Sequence, residues 1–200
     1  MSIGCVIVCY NTPKIITRAV NSIRNYVDQV IVIDNSDVNN PAYAECETLG
    51  VDVVHTNANI GHGPGLNKGI EYIKTDYVIC MDSDAVLNDH KVIKEMQKAL
   101  NGKDVYGAGL VITTNKTGHN AVEGIDYLHP YFCMFKRSVF NMHTPFINHG
   151  APFIRTMNEI DGKLKVIDIE GITYKCWHEH RRTREVAGNV WLKNWDKPYD

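Results

Sequence analysis

The chain has 200 residues, of which 44% are hydrophobic and 22% are charged. This length is sufficient for one compact domain with a substantial core, so neither a disulfide nor a metal is needed for folding. Lys and Arg number 21 and Asp and Glu number 23, which gives a formal net charge of −2. This balance argues against bulk electrostatic capture of nucleic acid.

The six cysteines lie mostly in apolar, strand-like runs and lack the close spacing of zinc-finger motifs. This pattern predicts buried, reduced thiols in a cytoplasmic protein. The N-terminal apolar run has no basic region before it and no small-residue cleavage site after it, so we interpret it as a strand rather than a signal peptide. No apolar run approaches the roughly 18 residues of a membrane-spanning helix.

Strands and helices alternate through the first hundred residues. Residues 3–9 and 77–81 are nearly continuous apolar runs, typical of strands that are covered on both faces. Residues 14–26 carry apolar side chains at the three-to-four spacing of an amphipathic helix. Further strands are predicted at 30–33 and 51–55, and further helices at 42–49, at 64–74 and after Asn88. This alternation predicts an α/β fold with a mainly parallel central sheet and helices on both faces, a three-layer sandwich.

The second half of the sequence is less regular. We predict strands at residues 105–113 and 127–136, a helix at 151–159, and a hairpin made of residues 164–169 and 172–177. No repeat or linker interrupts the chain. We therefore expect a single domain over residues 1–200.

Polar residues follow four of the predicted strands: Tyr10 and Asn11, Asp34, Asn59 and Gly61, and Asp82 and Asp84. The carboxyl ends of parallel strands share one edge of the sheet, so we expect these side chains to converge on one cleft. Asp82 and Asp84 are two apart in an extended segment, which points their carboxylates the same way. One carboxylate can bind Mg²⁺ or Mn²⁺ while the other reaches a ribose or a metal-bound water. The alternative for this DxD motif is a solvated turn.

These segments, taken together and in this order, resemble the GT-A fold glycosyltransferases of family 2, particularly the rhamnosyltransferase-like members. The resemblance rests on residues 6–11, 30–36, 59–61 with 67–69, and 82–84, and covers about residues 3–100. It implies a GT-A, Rossmann-like fold. It also implies an inverting transfer of a sugar from a nucleoside diphosphate donor, with Mn²⁺ or Mg²⁺ as cofactor. About residues 1–100 would bind the nucleotide sugar, and about residues 101–200 would bind the acceptor and close over the metal and diphosphate.

The resemblance implies a role for the residues after the first two strands. Tyr10 and Asn11 would line the nucleotide pocket. Asp34 would accept the imide N–H of the base, which favours UDP or dTDP as the donor nucleotide. The alternatives are an Asx turn for Asp34 and ordinary aromatic core for Tyr10.

The same resemblance implies a metal site. Asp82 would hold the ribose and contribute to the metal site, and Asp84 would hold the metal. The family often places a histidine before a small hydroxyl residue near the last strand, and His178 with Thr183 matches that spacing. His180 is the reserve metal ligand. The alternative is a solvated basic edge that carries surface histidines.

Three arginines follow these histidines: Arg181, Arg182 and Arg184. A guanidinium group can bind phosphate oxygens through two parallel hydrogen bonds. We therefore expect Arg181 and Arg182 to hold the donor diphosphate.

The glycine-rich segment at residues 61–65 superficially matches a dinucleotide-binding fingerprint, with Asp82 about 20 residues further on. Leu66 stands where the third glycine is expected, and Pro64 lacks an N–H that phosphate would need. In the resembled family this stretch, including Gly61, passes near the donor, and Asn67 packs beneath it. A dinucleotide-dependent oxidoreductase is therefore the less favoured alternative.

The acidic motif that usually supplies the base in family 2 is absent from residues 146–152. Inverting displacement needs a base near the acceptor hydroxyl. His149, which titrates near neutrality, is our candidate, and its alternative role is a cap or packing residue. Asp126, Glu123 and Glu170 are other candidates for the base.

We hypothesise a metal-dependent glycosyltransferase, and its main alternative is a catalytically inert sugar-nucleotide-binding module. The acceptor wall is expected between residues 114 and 149, whose aromatic side chains would stack on an acceptor or form core. A glycan, a lipid-linked glycan, a protein and a modified nucleic acid are all compatible acceptors. The aromatic and histidine candidates are Tyr127, His129, Tyr131, Phe132 and Phe146.

Overall fold

The computed structural model describes residues 1–179. The strands are β1 (Ile3–Cys9), β2 (Gln29–Asp34), β3 (Asp52–His55), β4 (Tyr77–Asp82), β5 (Ala85–Leu87), β6 (Val105–Thr114), β7 (Ile125–Lys136), β8 (Lys165–Asp168) and β9 (Cys176–His178). The helices are α1 (Ile15–Ile23), α2 (Pro41–Glu47), α3 (His62–Tyr72), α4 (Lys91–Ala99), α5 (Arg137–Phe140), α6 (Ile154–Ile160) and α7 (Ile172–Lys175). None of these helices has the length and apolar character needed to cross a membrane.

A seven-stranded sheet has the order β3-β2-β1-β4-β7-β6-β8. Its first four strands are parallel, since a helix connects each strand to the next in the chain. β7 runs antiparallel to both of its neighbours, and β8 is parallel to β6. β5 and β9 form a separate antiparallel pair. The mainly parallel α/β sheet expected from the sequence is confirmed.

The sheet separates two hydrophobic cores, and alternate residues of β1 enter different ones. Cys5 and Ile7 pack in the core that contains α1, α2 and α4. Val6 and Val8 pack in the core that contains α3 and α6. Side chains on a strand alternate between its faces, so a nearly continuous apolar run is what a strand covered on both sides requires. The expected three layers are present.

The predicted hairpin of residues 164–169 and 172–177 is wrong. β8 pairs in parallel with β6 instead. Gly171 then takes a left-handed conformation with φ of 66°, and the short helix α7 follows it. β9 pairs with β5 rather than with β8. The apolar residues Ile172 and Cys176 are buried, but their packing partners cannot be identified from the residues that adjoin them in the sequence.

Candidate functional site

A cavity of about 910 Å³ opens beyond the carboxyl ends of β1, β2 and β4. This is the edge of a parallel sheet where ligands bind. The lining residues from the first half of the chain are Val8, Tyr10, Asn35, His62 and the segment 82–84. The remaining lining is formed by residues of β6 and β7, by the segments 118–120 and 149–152, and by His178.

Asp82, Asp84 and His178 come together at this cavity. Nε2 of His178 lies 3.1 Å from Oδ1 of Asp84 and 3.4 Å from Oδ2 of Asp82. One ligand atom from each residue lies within 4.8 Å of the other two. β9 makes this arrangement, because its pairing with β5 sets His178 opposite Ala85. The structure thus brings together the three residues that the sequence suggested as metal ligands.

The electrostatics of this cluster are those of two carboxylates bridged by an imidazolium. Burial alone would raise the pKa of Asp82, but the hydrogen bond from His178 and the charges of His62, His178 and His129 lower it to about 2. Burial would lower the pKa of His178, whereas its contacts with Asp82 and Asp84 raise it to about 10. The site therefore favours positive charge between the two carboxylates. Carboxylate oxygens are ligands that Mg²⁺ and Mn²⁺ prefer, so the donor set fits such an ion.

Sequence reasoning missed His62. Its Nε2 lies 3.3 Å from Oδ1 of Asp82, on the side away from His178. The predicted helix began at Pro64, whereas α3 begins at His62. Pro64 falls in the first helical turn, where its missing N–H costs no intrahelical hydrogen bond. A helix start placed two residues earlier would have identified His62 as a residue at the edge of the sheet.

The glycines of this segment have a packing explanation. A Cβ at Gly63 would collide with the backbone carbonyl of Ile147, and one at Gly65 would lie 3.0 Å from Val8. A Cβ at Gly69 would collide with Val6. The glycines therefore allow α3 to lie directly against β1 and against the segment that carries Ile147. This close packing accounts for the motif that suggested a dinucleotide-binding loop.

Gly61 and Asn67, which were expected near the donor, do not line the cavity. The carbonyl of Gly61 accepts a hydrogen bond of 3.1 Å from Nδ2 of Asn35. The side chain of Asn67 donates to the Phe146 carbonyl at 2.7 Å and accepts from the Phe146 N–H at 3.0 Å. Both residues therefore contact the cavity only through other residues. Gly61 orients Asn35, and Asn67 fixes the segment at Phe146, which leads to the lining residues 149–152.

Of the residues that follow β1 and β2, Tyr10 lines the cavity and Asn11 and Asp34 do not. The backbone N–H of Asn11 donates to Oγ of Ser36 at 2.8 Å. Asp34 has no exposed surface. Its carboxylate accepts from the Ser36 N–H at 3.0 Å and contacts Nδ1 of His55 at 2.8 Å. The hydrogen bond from the Ser36 N–H is the Asx-turn geometry, and the contact of Asp34 with a donor base stays a prediction.

His149 lines the cavity, but its hydrogen bonding does not suit a base. Its Nδ1 accepts the Ala151 N–H at 2.9 Å. A neutral imidazole that accepts at Nδ1 carries its proton on Nε2, which leaves neither nitrogen ready to take a proton. Asp126, Glu123 and Glu170 are exposed and lie outside the cavity lining. The geometry favours the capping interpretation of His149, and it does not place the other three candidates at the site.

The expected acceptor wall is present only in part. His129 lines the cavity, and so does Tyr127, although Tyr127 is nearly fully buried. Tyr131, Phe132 and Phe146 are buried in the two cores and do not line the cavity. The ring of Tyr131 is stacked on His178, with 5.0 Å between centroids. His180, Arg181 and Arg182, together with Thr183 and Arg184, lie outside the described residues.

Three solved structures show the same fold. A mannosyltransferase from Pyrobaculum calidifontis, in complex with GDP-Man and Mn²⁺, is 18% identical with a TM-score of 0.68, over 86% of this chain and 55% of that one. Glucosyl-3-phosphoglycerate synthase from Mycobacterium tuberculosis, in complex with Mn²⁺, UDP-Glc and phosphoglyceric acid, is 16% identical with a TM-score of 0.61, over 84% and 68%. TarS (residues 1–349) of S. aureus is 15% identical with a TM-score of 0.59, over 86% and 58%.

The chain thus spans little more than half the length of the mannosyltransferase and of TarS. No curated protein matches it by sequence. The model of the family described as glycosyl transferase family 2 matches residues 5–159, which include most of β1, all of β2 to β7 and both aspartates of the DxD motif. The chain belongs to glycosyl transferase family 2.

Proposed function

We propose that this chain is a metal-dependent glycosyltransferase that moves a sugar, with inversion, from a nucleoside diphosphate donor to an acceptor hydroxyl. One observation carries the proposal: Asp82, Asp84 and His178 converge at a cavity on the ligand-binding edge of a family 2 fold. Two of the similar structures are described as complexes with a nucleotide sugar and Mn²⁺, which supports the same class of donor and cofactor here.

Different residues of the cavity would bind the metal ion and the nucleotide. Asp84 and His178 would hold Mn²⁺ or Mg²⁺, and Asp82 would hold the same ion or the donor ribose. Tyr10 and Asn35, at the ends of β1 and β2, are placed to contact the nucleotide. A bound divalent cation would neutralise the charge that develops on the departing diphosphate.

In the transfer itself, the acceptor oxygen bonds to the anomeric carbon while the bond from that carbon to the diphosphate oxygen breaks, the diphosphate leaves with the bonding electron pair, and the proton of the acceptor hydroxyl passes to solvent water. A single displacement of this kind inverts the configuration at the anomeric carbon. Tyr127 and His129 also line the cavity, and they would contact the acceptor. Measurement of the anomeric configuration of the product by NMR tests this step separately from donor binding.

We also propose that both halves of the chain act as one domain. β7, from the second half, lies between β4 and β6 in the sheet, so the donor half and the acceptor half share one sheet. The expected preference for UDP or dTDP depended on a base contact by Asp34. Because that carboxylate is buried against Ser36 and His55, donors with different bases must be compared directly.

The test is a thermal-shift panel of UDP, dTDP, GDP and their sugar conjugates, with and without Mn²⁺. A ligand at about 100 times its Kd adds about 2.7 kcal/mol to the stability of the folded protein. We expect metal-dependent stabilisation of the parent and of Asp126→Ala, whose carboxylate is exposed and outside the cavity, and none in Asp84→Ala. If no nucleoside diphosphate stabilises the parent in a metal-dependent way, the proposal is wrong.

A sugar-nucleotide-binding module without transfer is the second candidate. The observation that favours it is that, among the described residues lining the cavity, the only carboxylates are Asp82 and Asp84. The same panel would give a positive result for such a module. Release of free sugar from the donor, or transfer to any acceptor, separates the two, since a binding module gives neither.

A further inference from the structure

A second cluster of metal-ligand side chains lies outside the cavity, where α2 covers the ends of β1 and β2. Cys9 is the last residue of β1 and pairs in register with Asp34, the last residue of β2. Cys46 lies on α2. The two sulfurs and a carboxylate oxygen of Asp34 all lie within 4.8 Å of one another, and none of the three residues has exposed surface. We propose that this cluster binds a zinc ion that fastens α2 to the ends of β1 and β2.

The donor set selects the metal. Two cysteine sulfurs and one carboxylate oxygen form a set that Zn²⁺ accepts, whereas Mg²⁺ and Ca²⁺ prefer oxygen ligands alone. Tetrahedral zinc with sulfur at about 2.3 Å and oxygen at about 2.0 Å sets its ligand atoms roughly 3.3–3.8 Å apart. Small side-chain rotations would bring atoms that already lie within 4.8 Å to these separations. Oγ1 of Thr12, 3.3 Å from the sulfur of Cys9, or a water molecule would complete the tetrahedron.

Polar groups contact two of the three proposed ligands. The sulfur of Cys9 lies 3.3 Å from the Thr12 hydroxyl. The Asp34 carboxylate accepts from the Ser36 N–H and contacts Nδ1 of His55. Carboxylates that bind a metal are commonly held in place by hydrogen bonds of this kind.

Ordinary thiol packing is also present in this protein, and it differs from the proposed site. Cys80 and Cys133 face each other across β4 and β7 and are fully buried. Among residues 1–179, no third metal-ligating side chain lies close enough to form a cluster with that pair. Within residues 1–179 the only clusters of that kind are the proposed zinc site and the Asp82, Asp84 and His178 site.

The proposed ion would support the donor-binding edge. Tyr10 and Asn35, which line the cavity, directly follow Cys9 and Asp34. Fixing the last residues of β1 and β2 therefore fixes the positions from which the cavity side chains extend. This role needs no glycosyltransferase activity, so it stands or falls independently of the proposed function.

The test measures metal in the full chain purified without chelator from zinc-supplemented cells. Mass spectrometry of the metal content is expected to give about one zinc per chain. Asp84→Ala, which removes a ligand of the other cluster, should retain it. Replacement of the zinc by Co²⁺ should give the near-ultraviolet absorption of thiolate-to-cobalt charge transfer in both proteins. Because these two proteins keep the proposed site intact, the test does not depend on how a cysteine variant folds.

Cys46→Ala should lose the zinc and the cobalt band, and Cys133→Ala is its matched control, since it removes an equally buried thiol outside the cluster. Any of four results would overturn the proposal. The first is a parent chain that contains no zinc either as purified or after refolding with Zn²⁺. The second is loss of the zinc in Asp84→Ala, and the third is a disulfide between Cys9 and Cys46 in the native protein. The fourth is retention of zinc by a folded Cys46→Ala.

Discussion

Nε2 of His178 lies 3.1 Å from Oδ1 of Asp84, although 94 positions separate the two residues in the chain. The contact depends on β9, which pairs with β5 and sets His178 opposite Ala85. The Glu179 N–H extends the pairing by donating to the Asp84 carbonyl at 2.9 Å. A residue from the end of the described chain thus completes a cluster whose carboxylates belong to its first half.

Removal of this imidazole should weaken metal binding. We expect His178→Ala to bind Mn²⁺ at least about tenfold more weakly than the parent, because mutation of even the outer partners of a metal site commonly costs about 10–100-fold in affinity. Titration of Mn²⁺, followed by the electron paramagnetic resonance signal of the free ion, measures the affinity. His90→Ala is the control, since His90 is exposed and stacks on Tyr26 instead. Equal Mn²⁺ affinities in parent and His178→Ala would exclude His178 as a ligand.

The capping interpretation of His149 makes a different prediction from a catalytic one. An asparagine at position 149 can accept the Ala151 N–H through its Oδ1 but cannot act as a base near neutral pH. We therefore expect His149→Asn to retain transfer within about tenfold of the parent, whereas loss of a general base costs about 10²–10⁴-fold. His149→Ala, which removes the acceptor altogether, should lower the free energy of unfolding. A thousandfold fall in kcat for a stably folded His149→Asn would restore His149 as the base.

The close approach of α3 to the rest of the protein can be tested at Gly63. A methyl group there would meet the Ile147 backbone, with the carbonyl carbon 2.8 Å and the nitrogen 2.9 Å away. We expect Gly63→Ala to lower the free energy of unfolding by more than about 2 kcal/mol, because overpacking outweighs the gain in helix propensity of about 1 kcal/mol. Glu71→Ala, on the exposed face of the same helix, should change it little. Urea unfolding of the three proteins measures the difference.

The strand ends were predictable because local patterns determine them. The apolar runs of β1, β2 and β4 identify buried parallel strands, and parallel strands present their carboxyl ends at one edge. Tyr10, Asp82 and Asp84 follow directly from that geometry, and all three line the cavity.

The side-chain partners of these residues were not predictable, because they depend on pairings between distant segments. Asp34 contacts His55 because the register of β2 and β3 sets the two residues side by side. The strand that carries His178 was assigned to a hairpin because its true partner, β5, is only three residues long and has no periodic pattern of its own. The cluster of Cys9 and Cys46 joins a strand to a helix, so no sequence spacing marks it.

The segment between β7 and α6 is held by Glu159. Its carboxylate accepts from the Thr144 N–H at 2.8 Å and from the Thr144 hydroxyl at 2.6 Å. Nδ1 of His143 lies 2.9 Å from the other oxygen. The hydrogen bonds from Thr144, followed by the one from His143, lower the pKa of Glu159 to about 2. These contacts favour the ionised carboxylate in the folded protein.

Glu159→Gln should therefore destabilise the protein in a pH-dependent way. A carboxyl group whose pKa is lower in the folded state than in the unfolded chain stabilises the fold fully above the unfolded value, and this stabilisation is lost as the pH falls through the folded value. The loss should fall between about pH 4.5 and pH 2. Because the side chain is one-third exposed, we expect about 1–2 kcal/mol at pH 7 after solvent screening. Urea unfolding at pH 7, 4 and 2.5 should show the gap between parent and variant closing as the pH falls, whereas Glu170→Gln, at an exposed position, should match the parent throughout. A gap that stays constant across this range would mean that Glu159 acts through packing rather than charge.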